Sequence, residues 1–253
     1  MQTETNPMVS ISRIVQDEMI RNGLAEDWVH GLLHIDRVIA NWKWLVFKCD
    51  KIDPRMARML QVAGYFHDVK KNKVTEYKDH AEAGAAFFLS QEIPGFTEEE
   101  TEAIAFAIRY HNVGLKKLGL RADSRKHILL QLLCIIDGMD SVCYIGYYRV
   151  LGWYGQQGEK FDLFGGYSAE ALENLLNGDF TDGELEELKD NGSVLPHLIY
   201  NLKIFRGALD PVMDLLSVDF LIEVERRMSK SRKEIEKMIK LKRRNERPMV
   251  AFQ

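Results

Sequence analysis

Residues 53–71 read DPRMARMLQVAGYFHDVKK, a segment that sets the helical character of the chain. Asp53 followed by Pro54 is an N-cap with proline at the first helical position, where its missing N–H costs nothing. The helix this opens runs to His67 and delivers a His67-Asp68 pair at its end. Adjacent side chains at a helix end diverge, so neither residue needs the other for core packing. A His-Asp dipeptide alone arises easily by chance; what surrounds it gives it meaning.

Working outward, helical periodicity continues in both directions. Ile11, Ile14, Val15 and Met19 recur at helical spacing, and Gly23 stops that segment. Asp27 to about Cys49 reads as a long helix with Val29, Leu32, Leu33, Val38 and Ile39 as its buried stripe. Downstream, Asp79 can cap a helix from His80 to about Gln91, which Pro94-Gly95 breaks. Thr97 with Glu100 forms a capping box for a helix reaching His111. Asp123 or Ser124 opens a strongly apolar helix carrying Ile128, Leu129, Leu132, Leu133 and Ile136. Shorter helices follow at Ser168–Leu176, Thr181–Lys189 and Leu195–Leu209, and Asp210-Pro211 starts a last long one. No β-branched alternation is long enough for a strand, so the expected fold class is all-α.

Composition narrows the function classes. The chain has 253 residues, 46% hydrophobic and 28% charged, which excludes a disordered or fibrous protein. A net charge of −4 gives no global attraction to nucleic acid or acidic lipid. The apolar run Ile128–Ile136 is far short of the roughly 18 residues a membrane span needs. The opening MQTETNPMVS lacks a basic region followed by an apolar core, so a cytoplasmic protein without a secretory leader is expected. Cys49, Cys134 and Cys143 sit in apolar helical patterns as free thiols, with no zinc-ribbon spacing. Residues 144–167 hold eight aromatics among six glycines, read as a hydrophobic seam or, as the alternative, a lid. Residues 226–247 carry eleven Lys or Arg against three Glu, a net of +8 that leaves −12 on residues 1–225. No aromatic or Gly-rich motif accompanies that basic helix, so a solvated amphipathic helix is expected and nucleic acid is not the expected partner.

Seven histidines occur, at positions 30, 34, 67, 80, 111, 127 and 197. Imidazoles and carboxylates together suit a catalytic divalent metal. His30 and His34 stand at i and i+4 on one helix face, so either could serve as a ligand. His80 in DHAEAGA, His111 in IRYHN and Asp137 in CIIDGMDSV complete an ordered series of His, His-Asp, His, His, Asp on successive helices. A carboxylate such as Asp137 in an apolar helix is costly unless paired or metal-bound. Asp140, one turn on, is expected to orient an Arg or a ligand histidine. His127 and His197 match nothing and are expected to be structural.

This series resembles the HD superfamily of metal-dependent phosphohydrolases over roughly residues 27–145. The resemblance implies an HD-domain bundle over residues 1–155, leaving 156–253 as the aromatic linker and a C-terminal helical extension. It favours His34 over His30, because the family's His-x-x-Arg-Val run matches His34, Arg37 and Val38. It implies His34, His67, Asp68 and Asp137 as ligands of a first ion, with His80 and His111 joining Asp68 around a second. The cofactor is then one or two divalent ions of Mn, Fe, Mg, Co, Ni or Zn. Asp68, Lys71 and Arg37 are expected in catalytic roles. Lys71 matches the family's lysine after His-Asp, although Lys70 replaces the usual glycine.

Lys70, Arg109, Lys116 and Lys117, with Arg121, are candidates to clamp phosphate oxygens, the loop carrying Lys116, Lys117 and Arg121 reading equally as a solvated basic turn. Glu82 is expected to be exposed. The expected reaction is cleavage of a phosphomonoester or phosphodiester, of a nucleotide by family weighting, by a metal-activated hydroxide. Gly166-Tyr167 is followed by Ser168, so the Gly-Tyr-Pro signature of the cyclic-di-nucleotide branch is missing. HD-fold di-iron oxygenases share the ligand series, and a non-catalytic binding module is a third reading. A homo-oligomer is left open.

Overall fold

The computed structural model describes residues 7–27, 29–71, 79–142, 146, 148–151, 162–178, 181–190 and 192–246. Every regular element among them is helical. In chain order these are α1 (Pro7–Arg21), α2 (Leu32–Lys48), α3 (Pro54–Phe66), α4 (Asp79–Ser90), α5 (Glu98–Tyr110), the short α6 (Gly114–Lys117), α7 (Arg125–Val142), α8 (Ala169–Asn177), α9 (Asp182–Asp190), α10 (Val194–Leu209) and α11 (Val218–Glu246). The all-α expectation holds. The chain divides into two compact units, Met1–Asp140 with Gly207–Leu221, and Ser141–Arg206 with Ile222–Gln253.

In the first unit α3 is the hub, packed against α1, α2, α4 and α5. Asp53 caps it by accepting from the Met56 amide at 2.8 Å, with Pro54 at the first turn as expected. Met59, Leu60, Val62, Ala63 and Phe66 are fully buried, and the Phe66 ring meets Phe88 edge-on at 5.3 Å. Burying a ring of that size is worth about 1.5–3 kcal/mol. Close approach is needed where α4 passes the end of α3. A Cβ on Gly84 would stand 3.1 Å from the Phe66 carbonyl oxygen and 3.4 Å from that of His67. The Thr97–Glu100 capping box forms at the start of α5, and Ser124 leads into α7, its carbonyl accepting from the Ile128 amide.

Two boundaries differ from the sequence reading. α2 begins at Leu32 rather than Asp27, because the Asp27 carboxylate accepts from the amides of Val29 and His30 and closes a turn first. Starting at Leu32 turns His34, Ile35, Val38, Ile39, Asn41 and Leu45 inward and leaves Leu33 58% exposed, against the expected stripe. At the other end, Asp210-Pro211 opens a 3₁₀ segment (Asp210–Leu215), not the final helix. Ser217 starts that helix, its hydroxyl accepting from the Phe220 amide at 3.1 Å.

In the second unit, Leu172, Leu176, Leu188, Leu195 and Ile199 are buried together with Val224, Met228, Ile235 and Ile239 of α11. Ser168 caps α8 through the Ala171 amide. Arg243 pairs with Glu173 at 2.5 Å, and Arg232 with Asn177. Of the aromatic stretch, Tyr144, Tyr147, Trp153, Tyr154 and Phe161 lie outside the described residues, as does Cys143. Cys49 and Cys134 are free thiols. No helix among the described residues is long and apolar enough to cross a membrane.

Candidate metal centre

Five elements of the first unit each deliver a candidate ligand side chain near one of their ends or into the core. His34 lies in the first turn of α2, and His67 is the C-cap of α3 with Asp68 directly after it. His80 is the second residue of α4, His111 the C-cap of α5, and Asp137 stands well inside α7. His34, His67, Asp68, His80 and His111 are all buried, whereas the Asp137 side chain is 28% exposed. The groups His34–His67–Asp68 and Asp68–His80–His111 each have their ligand atoms within 4.8 Å of one another, and Asp68 belongs to both.

Around one Asp68 oxygen, Oδ2, stand His34 Nε2 at 3.6 Å and His67 Nε2 at 3.8 Å. Asp137 Oδ1 closes the same space, 3.3 Å from His34 Nε2 and 3.7 Å from His67 Nε2. The other oxygen, Asp68 Oδ1, faces His80 Nε2 at 3.3 Å and His111 Nε2 at 3.4 Å. It is buried and makes no hydrogen bond. A carboxylate oxygen in that condition is costly unless a cation answers it.

The far side of three rings fixes which nitrogen faces the centre. His67 Nδ1 donates to the Gly64 carbonyl at 2.9 Å, and His111 Nδ1 donates to that of Ile108 at 2.7 Å. His34 Nδ1 donates to Asp140 Oδ2 at 2.7 Å. In the neutral form, each ring would therefore present an unprotonated Nε2 inward, which is the form a metal takes. The consequence is sharpest between His34 and His67, whose Nε2 atoms are 3.1 Å apart. Two lone pairs at that distance repel unless a proton or a cation lies between them.

The charges follow the same logic. Burial alone would raise the Asp68 carboxyl, but the Lys71 ammonium 3.6 Å away and the surrounding imidazoles outweigh it and hold it well below the usual carboxylate range. Asp137 is likewise held well below, burial being overcome by His34 and His67. His67 is raised although burial opposes it, because Asp68 and Asp137 favour its cation; His111 is lowered, chiefly by burial. The Cys134 thiol, pushed up to about 12 by burial and by Asp137, donates to the His111 carbonyl at 3.2 Å and is no nucleophile.

Asp140 sits behind the centre as its role in the sequence suggests: Oδ2 accepts from His34 and Oδ1 from Arg37 Nε at 2.7 Å. Arg37 thus meets the centre through Asp140. Lys70 pairs with Glu18 and lies over the Phe87 ring at 4.6 Å, while Arg109 bonds Glu82 at 2.6 Å, with the Glu82 side chain 60% exposed. Lys116, Lys117 and Arg121 are exposed on and after α6. The His30 ring stands 6.4 Å from that of His34, His127 bonds Asp123 at 2.8 Å, and His197 lies in the other unit beside Tyr200.

Sequence reasoning missed Glu18 and Asn22. Glu18, 3% exposed, binds Lys70, Arg21 and Asn22, and the Asn22 amide donates to the Val69 carbonyl at 3.3 Å. Together they fasten the turn that carries Asp68. The available signal was an acidic residue beside the buried stripe of α1, one position before Met19. Asn41, which donates to the Ile136 carbonyl at 2.9 Å and ties α2 to α7, had no such signal.

No protein-family model matches the sequence, and no curated protein matches it. The buried His/Asp cluster, compatible with a metal site, therefore carries the functional reading by itself.

Proposed function

We propose that this chain is a metal-dependent phosphohydrolase of the HD type, cleaving a phosphomonoester or phosphodiester, with a nucleotide as the favoured substrate. The observation that carries the reading is the pair of inward Nε2 atoms of His34 and His67, 3.1 Å apart and flanked by Asp68 and Asp137. Four donors of mixed nitrogen and oxygen character suit Mn, Fe, Co, Ni or Zn, and Mg less well. His80, His111 and the second oxygen of Asp68 form a neighbouring group for a second ion.

Bound divalent ions supply the Lewis acidity that makes water a nucleophile at neutral pH and polarises a phosphoryl group. The residues of this chain do the rest. Asp68 serves both halves of the site with separate oxygens, which an imidazole could not do. Asp140 fixes the tautomer and angle of His34, and Arg37 holds Asp140 in place. Lys71, 17% exposed and next to Asp68, brings a positive charge to developing phosphoryl charge. Lys70 holds the turn through Glu18. Arg109, which bonds Glu82, and the exposed Lys116 and Lys117 are the cations proposed to meet a substrate's outer phosphates.

The test is purified protein loaded in turn with each of the six metals and assayed for phosphate release from nitrophenyl mono- and diesters and a nucleotide panel. Metal-dependent release indifferent to O₂ supports the proposal. Silence with every metal, or ferrous-dependent O₂ uptake without phosphate release, overturns it.

A further inference from the structure

The second unit carries a charged feature that the metal centre does not use. Along α11 the exposed basic residues are Arg226, Lys230, Lys233, Lys237, Lys240 and Arg244. Their spacing is 4, 3, 4, 3 and 4 residues. At 100° per residue all six fall within an arc of about 80°, in a line about 27 Å long. No acidic residue falls in that arc between 226 and 244; the glutamates of that segment, 234 and 236, lie to either side. Opposite the line, Val224, Met228, Ile235 and Ile239 are buried, so the helix cannot roll to hide its cations.

Two members are partly occupied, Arg226 by Glu223 at 2.5 Å and Lys237 by Glu234 at 2.7 Å. Lys230, Lys233, Lys240 and Arg244 make no ion pair among the described residues. The helix dipole favours cations only in the last turn, which accounts for Arg243 and Arg244 but not for a line of five turns. A face kept merely for solubility interleaves both signs, as the flanks of this helix do with Arg232–Glu236 and Lys242–Glu246.

From this placement we infer that the α11 ridge is a docking surface for the phosphate backbone of a nucleic-acid duplex, read without base specificity. A straight row of like charges matches a stiff polyanion whose phosphates recur every few ångströms. No aromatic residue lies on the ridge to stack bases, which disfavours a single strand. Membrane-surface helices face the bilayer with apolar residues. Here the apolar face is buried in protein, and between 226 and 244 Leu241 is the one exposed apolar side chain beside the row. The sequence alone argued against nucleic acid because no recognition motif accompanies the charge; the alignment of that charge on one face points the other way.

The experiment titrates the full chain into fluorescent 24-base-pair DNA and RNA duplexes of two unrelated sequences, from about 50 to 200 mM salt, reading anisotropy. Six phosphate contacts give a slope of log K against log salt of about −5, and a loss of affinity of about 10³-fold over that range. Replacing Lys230, Lys233, Lys240 and Arg244 together by Gln leaves two contacts, so the slope falls to about −2 and low-salt affinity drops by about 100-fold or more. A control of equal charge, with Arg13, Lys43, Lys51 and Lys126 replaced by Gln, leaves binding within a few-fold. Circular dichroism establishes that both variants keep their helices. Absence of duplex binding at 50 mM salt, an equal loss in the control, or capture by phosphatidylserine vesicles without duplex binding each overturns the inference.

Discussion

The two halves of the candidate metal centre share Asp68 and little else. The half formed by His34, His67 and Asp137 is built on α2, α3 and α7, has two carboxylates, and is braced from behind by Asp140 and Arg37. The half formed by His80 and His111 lies on α4 and α5 and has a single carboxylate oxygen, which it borrows. Anionic donors and fixed outer partners both raise affinity for a hard or borderline cation. If the proposed function holds, the first half is expected to bind the tighter ion and the second to fill only at higher metal concentration.

The largest expected effect removes what the halves have in common. Asp68→Ala deletes an oxygen from each half and leaves four inward imidazole nitrogens with Asp137 as the one carboxylate among them. Metal analysis after gel filtration is expected to fall from one or two ions per chain to none, with activity reduced by at least about 10³-fold. Retention of a full ion by that variant would mean Asp68 is a bystander.

His111→Ala separates the halves. It takes a nitrogen from the weaker group alone, so calorimetric titration should lose the weaker binding event and keep the tighter one. Loss of both events together would show that the halves are one site. A smaller change comes from Asp140→Asn, which keeps the shape but weakens the grip on His34 and Arg37. Outer partners of this kind are worth about 10–100-fold in metal affinity. The loss should appear in the tight event and spare the weak one; an effect confined to the weak event sinks the comparison.

The same contrast explains what could be read from the chain. Helix positions followed from local chemistry: the Asp53-Pro54 cap and the Thr97–Glu100 box form as their residues dictate. The clustering of the His/Asp series was legible too, because His67, Asp68 and His111 lie at or just past the C-terminal ends of the helices that those caps open. The start of α2 was lost since the Asp27 turn is a competition between side chain and backbone that periodicity does not register. Glu18 was missed for another reason. Its partner Lys70 is 52 residues away, and only tertiary packing reveals that the buried carboxylate braces the turn after His67. Lys70, expected as a substrate cation, has that carboxylate as its partner.

The smallest effect is on stability of the metal-free protein in acid, and it too distinguishes the halves. Asp68 and Asp137 both have carboxyls held well below their ordinary value in the folded chain. A depressed folded pKa contributes stability that is complete above the unfolded value of about 3.9 and is lost as pH falls toward the folded one. The histidines act elsewhere: raised His67 stabilises below about 6.5 and loses that contribution as pH rises through its folded value, while lowered His111 acts in the opposite sense. The limb below about pH 4 therefore reports the carboxylates. In chelator, the urea midpoint of the wild type should drop as pH falls from about 4 to 2.5, and Asp137→Asn should flatten part of that drop by removing one of the two carboxyls of the centre, while Glu18, Glu100 and Glu223, also held low by their cationic partners, keep their share. His111→Ala, which leaves both carboxylates and most of their cationic neighbours in place, should retain most of it. If Asp137→Asn and wild type fall in parallel, Asp137 is not held by His34 and His67, and the tighter half loses the second of its carboxylates.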